Sequence, residues 1–156
     1  MSSFDSMGRD PAQGLAEACA VQMYADDRAS QALGMRIDEV GPGRAVLSMS
    51  VREDMTNGHD ICHGGFIFAL ADSAFAFACN SYNRVTVAQG ATIHFLRPAM
   101  RGDRLRADAR VVNQSSRTGL YDVEVRRDDG KLIASFRGNS FSSDKPLVSG
   151  EGGVAP

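Results

Sequence analysis

The chain has little with which to staple itself, anchor itself or attract a charged polymer. Its 156 residues include three cysteines, Cys19, Cys62 and Cys79, which form no paired framework. Two of them fall in apolar, helix-like stretches where a reduced thiol behaves as a small hydrophobe, so a reducing cytoplasm is the expected compartment. Charge of one sign is also missing. A formal net charge of −2 gives no bulk electrostatic reason to bind nucleic acid or an anionic membrane. The N-terminal stretch shows no basic segment leading into an apolar core, and the longest apolar run, after His63, is broken by polar residues too soon to span a bilayer. A soluble protein with no nucleic-acid or membrane partner is therefore expected. Its length suits one domain with its own core, residues 1–143. The Gly-, Ser- and Pro-rich tail, 144–156, is expected to be disordered.

What is present reads as helix, hairpin, helix, then strands. From Asp10 to about Gln31 the composition favours a leading helical segment, with Pro11 suited to a first turn and Gly34 to a stop. Two short alternating stretches follow, Met35 to Val40 and Ala45 to Val51, and Gly41-Pro42-Gly43 between them predicts a hairpin turn. A polar loop from Arg52 to Cys62 leads into the main helix. Four strands are then expected, Val85 to Arg97, Asp103 to Gln114, Thr118 to Arg127 and Leu132 to Ser142, with punctuation that predicts antiparallel hairpins. In the second of these, Leu105, Ala107, Ala109 and Val111 alternate with Arg104, Arg106, Asp108 and Arg110. That period of two gives one dry face, and the only long apolar helix available to cover it is the one after His63. The fold class is thus α+β, an antiparallel sheet wrapped around a central helix, with an N-terminal helical segment.

That central run, His63 to Asn83, is almost wholly apolar and carries one carboxylate, Asp72. An ionised group among Phe, Leu and Ala is costly, so it is normally neutralised, paired or retained for a reaction. The run opens with Gly64 and Gly65, whose amides at a helix N-terminus can face developing negative charge. A donor pair and a lone acid suggest acyl chemistry. Plain structural readings stand beside this one: close backbone packing for the glycines, a structural carboxylate for Asp72, and a simple turn at Asn57-Gly58. His59, Asp60, Cys62 and His63 superficially resemble a ligand cluster, but no second cluster completes it, and neither metal nor cofactor is expected. His94 reads as a packed or solvated strand residue. Phe66, Phe68, Phe75 and Phe77 read as core, with Phe68 and Phe75 nearest Asp72. Gly64 and Asp72 are eight residues apart, ~12 Å along one helix, too far to serve one carbonyl together. A site using both must draw them from two chains, across a dimer interface.

Taken in order, Asn57, His63-Gly64-Gly65, Leu70-Ala71-Asp72, Phe95-Leu96-Arg97-Pro98-Ala99, Gly102-Asp103 and Arg137-Gly138 resemble the phenylacetic-acid-degradation thioesterases of the PaaI type, over about Arg28 to Ser142. The resemblance implies a hotdog fold and hydrolysis of acyl-CoA thioesters, phenylacetyl-CoA or hydroxyphenylacetyl-CoA above others. It implies Asp72 as general base or nucleophile, and Gly64 as oxyanion donor from the other subunit. Asn57 would then position the nucleophile or water and His63 the loop or thioester, in a neutral hydrogen-bonding role. It further implies a homodimer sharing its active sites, paired into a homotetramer. Some relatives place a Ser or Thr on the strand after the helix to hold water, and the corresponding position here is Ala88. Gly65 and Phe68 are expected beside the acyl group, and Arg97, Arg117, Thr118 and Gly119 to meet the phosphates of coenzyme A. Two other readings remain, a non-catalytic acyl-CoA-binding module and a hotdog enoyl-thioester hydratase or dehydratase.

Overall fold

The structure, a computed structural model, describes residues 8–149. The leading helical segment is two helices: α1 spans Pro11–Asp26 and α2 spans Arg28–Ala32. The segment divides at Asp27, for a local reason. The Asp27 backbone N–H turns back to the Tyr24 carbonyl and ends α1, while its carboxylate accepts from the Ser30 N–H and starts α2. Gly34, at φ +70°, ends the segment in the left-handed conformation that suits glycine.

Strands β1 (Arg36–Gly41) and β2 (Arg44–Ser50) form the expected hairpin, tightened by Gly43 at φ +68°. The central helix α3 covers Gly64–Cys79, and β3 (Thr86–Phe95), β4 (Arg104–Gln114), β5 (Thr118–Arg127) and β6 (Leu132–Ser142) follow. All pair antiparallel in one six-stranded sheet of order β1-β2-β4-β5-β6-β3. One expected hairpin is absent. The turn from Pro98 to Gly102 does not return β3 onto β4; β3 pairs with β6 and the chain crosses the sheet to set β4 against β2. Local punctuation marks where a strand stops, but the neighbour it finds depends on the whole sheet closing round the helix.

Alternation on β4 is as expected, with Leu105, Ala107 and Ala109 buried against α3 and the intervening arginines exposed. Tyr121, Val123 and Val125 on β5 and Ala134 and Phe136 on β6 complete the dry face. Small residues meet small residues here, Ala45, Ala107 and Ala109 on the strands against Ala71, Ala74 and Ala78 on α3, which lets the helix lie close on the sheet. No helix among the described residues is long and apolar enough to cross a membrane.

Both edges of the sheet are exposed by topology, and they differ. At β1 the Gln13 side chain of α1 donates to the Val40 carbonyl at 2.6 Å, and α1 packs on the strand. At β3 no element of the described chain covers the outer edge, and Val87, Phe95 and Leu96 there are 58%, 52% and 51% exposed. Residues 144–148, expected within a disordered tail, are instead tied down. Asn83, held at φ +61°, accepts from the Leu147 and Val148 amides and donates to the Val148 carbonyl. Residues 150–156 of that tail lie outside the described residues.

Candidate active site

The site is built on α3. At 100° per residue its buried face, Ile67, Leu70, Ala71, Ala74 and Ala78, turns to the sheet, leaving Gly65, Phe68, Ala69, Asp72 and Ala76 as an incompletely covered stripe. Phe68 and Phe75 border the stripe on the β6 side and pack against Phe136, edge-on at 5.5 Å and tilted at 5.8 Å between ring centroids. Gly138 on β6 is required there, because a Cβ would lie 2.9 Å from the Phe75 ring. Asp72 sits in the middle of the stripe, half-buried. Burial pushes its carboxyl above the usual carboxylate range, and among the described residues no hydrogen bond or ion pair offsets that cost. A carboxylate kept at such a place, unpaired, is suited to accept a proton or to attack.

The N-terminus of α3 is prepared for an anion. His63 is the N-cap; its Nδ1 accepts from the Gly65 N–H at 3.4 Å, and its carbonyl accepts from the Phe66 N–H at 3.0 Å. The Gly64 N–H is left without a partner among the described residues. Gly64, rather than Gly65, is therefore the amide free to stabilise an oxyanion. Because Nδ1 is the acceptor, the ring presents Nε2–H outward as a donor. A Cβ on Gly64 would lie 3.0 Å from the exposed Phe95 ring, so the absence of a side chain also lets that ring close over the helix end. A depression of about 330 Å³ lies beside it, bordered by Cys62, Gly64, Phe95, Leu96 and Arg97.

Asn57 holds the approach to this end. Its Oδ1 accepts from the His59 and Ile61 amides at 2.9 and 3.2 Å, which folds the loop and leaves the Nδ2 amide as the remaining donor. The loop is anchored in turn by His63 N–H to the Met55 carbonyl, 2.8 Å. Cys62 is buried, its thiol pushed up to about 11 by burial, which suits packing rather than nucleophilic work. Among the described residues no three His, Cys, Asp or Glu side chains converge as a metal site would need.

Within one protomer the structure brings Asn57, His63, Gly64, Gly65 and Arg97 to one end of α3 and leaves Asp72 about two turns away. It does not bring Arg117, Thr118 and Gly119 to them. Those residues pair with the Phe141 end of β6, while Phe95 and Arg97 lie at its Ala134 and Leu132 end, ~25–30 Å along the strand. Arg117 is already engaged by the Asp144 carboxylate at 2.9 Å. Gly119 is buried, and its missing side chain makes room for Gln114, Ser140 and Tyr121, so its residue type is a packing requirement. Sequence reasoning passed over Phe95 as a site residue, although it stands in the segment Phe95-Leu96-Arg97-Pro98-Ala99. It also passed over Ser73, next to Asp72, whose partner Ser30 comes from α2 with no sequence signal connecting them.

Comparison with known proteins agrees with this architecture. A model of the thioesterase superfamily matches residues 59–134, a span that holds the whole of α3 and the strands up to the start of β6. The chain is 48% identical over 118 residues to the acyl-coenzyme A thioesterase PaaI of Escherichia coli (strain K12), covering 76% of this chain and 84% of that protein. The chain belongs to the thioesterase superfamily, as a PaaI-type hotdog enzyme. Among solved structures, the Escherichia coli PaaI protein from the phenylacetic acid degradation operon superposes with a TM-score of 0.85 at 44% identity, over 86% of this chain and 98% of that one. A mutant of the phenylacetic acid degradation protein PaaI from Thermus thermophilus superposes at 0.71 with 43% identity, over 74% and 98%. The thioesterase domain thus has its central helix, its glycine pair and its half-buried acid on elements shared with that family.

Proposed function

We propose that this thioesterase hydrolyses acyl-CoA thioesters, with phenylacetyl-CoA or hydroxyphenylacetyl-CoA as its preferred substrates. Asp72 acts as general base or nucleophile and the Gly64 N–H as oxyanion donor. The observation that carries the reading is the unpaired, half-buried Asp72 on the open stripe of α3, together with a free amide at the N-terminus of the same helix. Two turns of helix separate them, so each site takes Asp72 from one protomer and Gly64 from its partner. The uncovered β3 edge with exposed Val87 and Phe95 supports pairing of two copies about a two-fold axis, which sets two α3 helices antiparallel beside each other. His63 Nε2–H and Asn57 Nδ2 are the further donors available to the thioester or to water. Kinship with a protein named for acyl-coenzyme A supports the leaving group, and kinship with proteins named for phenylacetic acid degradation supports the aryl-acetyl group.

Hydrolysis by a general base begins with water attack on the carbonyl carbon as Asp72 takes the water proton. The oxyanion then forms against the Gly64 N–H, and its collapse expels the CoA thiolate, which is protonated. Direct attack by Asp72 forms an anhydride instead, which water then cleaves. Thiol release from phenylacetyl-, hydroxyphenylacetyl-, benzoyl- and medium-chain acyl-CoA, with wild type and Asp72→Asn compared, tests the reading. Preferential release from aryl-acetyl substrates, reduced ~10²–10⁴-fold in the variant, is the expected result. Equal activity in the two proteins removes Asp72 from the mechanism, and tight binding without turnover favours a binding module.

A further inference from the structure

A hydrogen-bond chain runs from α3 into the N-terminal helices beside Asp72. Ser30 Oγ donates to the Asp27 carboxylate at 2.6 Å and lies 3.0 Å from Ser73 Oγ. Since Ser30 spends its only hydroxyl proton on Asp27, Ser73 must be the donor to Ser30. The chain is therefore directed, Ser73 to Ser30 to Asp27, and Ser30 is 1% exposed within it. Nothing in the catalytic reading uses these groups. They are the polar part of the contact between α2 and α3, and Tyr24 on α1 packs against Phe77 on the same side of α3, 6.4 Å between centroids. Tyr24 Oη donates to the Met35 carbonyl, and Arg52 Nη1 to the Ala32 carbonyl that ends α2, so the unit is tied late in α1 and at the end of α2.

Helical geometry places this unit relative to the acid. Phe66, Ser73 and Phe77 share one side of α3, Phe68 and Phe75 lie ~180° round the helix, and Asp72 falls between the two sides, about 100° from Ser73. Asp72 thus lies on α3 between a side carrying Phe68, packed on Phe136 of β6, and a side carrying Ser73, bonded to α2, with Gly65, Ala69 and Ala76 on its own stripe.

We infer that α2 is a specificity-determining wall of the acyl site and that Ser73, through Ser30 and Asp27, is the positioning residue that holds it. The inference rests on the assignment of Asp72 to the reaction. Ser73 touches neither the reacting carbonyl nor Asp72's proton; it sets how closely the wall stands to the acyl group. Removing the hydroxyl leaves acid and oxyanion donor in place, so its effect falls on KM and scales with acyl size.

Ser73→Ala, Ser73→Thr and wild type are compared by hydrogen exchange at the Gln31 and Leu33 amides, which close α2, and by kinetics on phenylacetyl-CoA and acetyl-CoA. In Ser73→Ala the exchange rates and the KM for phenylacetyl-CoA rise about fivefold, the effect of one neutral hydrogen bond, with kcat within about twofold and the KM for acetyl-CoA unchanged. Ser73→Thr, which keeps the donor, restores both. Unchanged exchange, faster exchange with an unchanged KM for both substrates, or a fall in kcat at constant KM overturns the inference. If Asp72→Asn proves fully active, the catalytic reading fails by that result, while exchange still reports whether Ser73 holds α2.

Discussion

At the scale of single residues, Asp72 and Gly64 carry opposite kinds of cost. Asp72 is charged where the fold would favour it neutral: its folded pKa lies above its unfolded one, so the folded state binds the proton more tightly, and stability falls as pH rises through the interval between the two. Asp72→Asn removes that loss. Because solvent screens a half-buried group, the gain is small: calorimetry at neutral pH is expected to show a modest rise in Tm that vanishes below the carboxylate range. With Asp72 as the proposed base or nucleophile, the same shift is expected to set the acid limb of the rate profile, activity falling as the carboxyl is protonated, at a pH above its ordinary value of 3.8. Gly64 contributes an amide rather than a side chain, and proline can delete that amide. His63 at φ −61° and ψ 134° already has the extended conformation that a residue before proline needs, and Gly64 is the first helical position, where proline is tolerated. The ring displaced by the new atoms is the free end of Phe95. Gly64→Pro should therefore keep its circular dichroism while kcat falls ~10²–10³-fold, the cost of one oxyanion donor.

Among the elements, the α3 helix stands out because its three sides have three different partners: sheet, α1–α2 unit and open stripe. The first was readable from periodicity, since the dry face of β4 and an apolar helix specify each other. The second was not, because Ser30 and Ser73 are joined by a side-chain contact across 43 residues. The C-terminal strap is similar. Composition around Gly, Ser and Pro reads as tail, yet two backbone amides and one carbonyl from Leu147 and Val148 are satisfied by a single side chain, Asn83. Asn83→Ala deletes all of these bonds and sets at positive φ a residue that tolerates it less well than asparagine. Urea unfolding is expected to show a loss of about 1–3 kcal/mol, with phenylacetyl-CoA turnover unchanged per folded molecule.

For the whole molecule, the decisive quantity is the distance between two positions on one helix. A shared site predicts complementation: Asp72→Asn and Gly64→Pro protomers, each inactive alone, regain activity when mixed and allowed to exchange, because a mixed dimer holds one site with both groups intact. Random pairing of equal amounts makes half the dimers mixed, with one good site of two, so recovery should approach about one quarter of wild type. No recovery, with exchange shown by mass spectrometry, would put both groups in one chain's site.

By itself the sequence determined the elements that periodicity and punctuation control: the hairpin of β1 and β2, the long helix after His63, the strands Thr118 to Arg127 and Leu132 to Ser142, and the inward set Leu105, Ala107 and Ala109. It also isolated Asp72 and the glycine pair, because an acid in an apolar run and paired glycines before a helix are local anomalies. Only the tertiary structure decided that β3 crosses to β6, that Gly64 rather than Gly65 keeps a free amide, that Arg117 is already paired, and that Ser73 reaches Asp27 through Ser30. The physical reason is range. Propensity, capping and alternation act over a few residues, whereas strand neighbours, spare hydrogen-bond donors and long-range ion pairs depend on which distant groups the closed sheet brings within about 3 Å of one another.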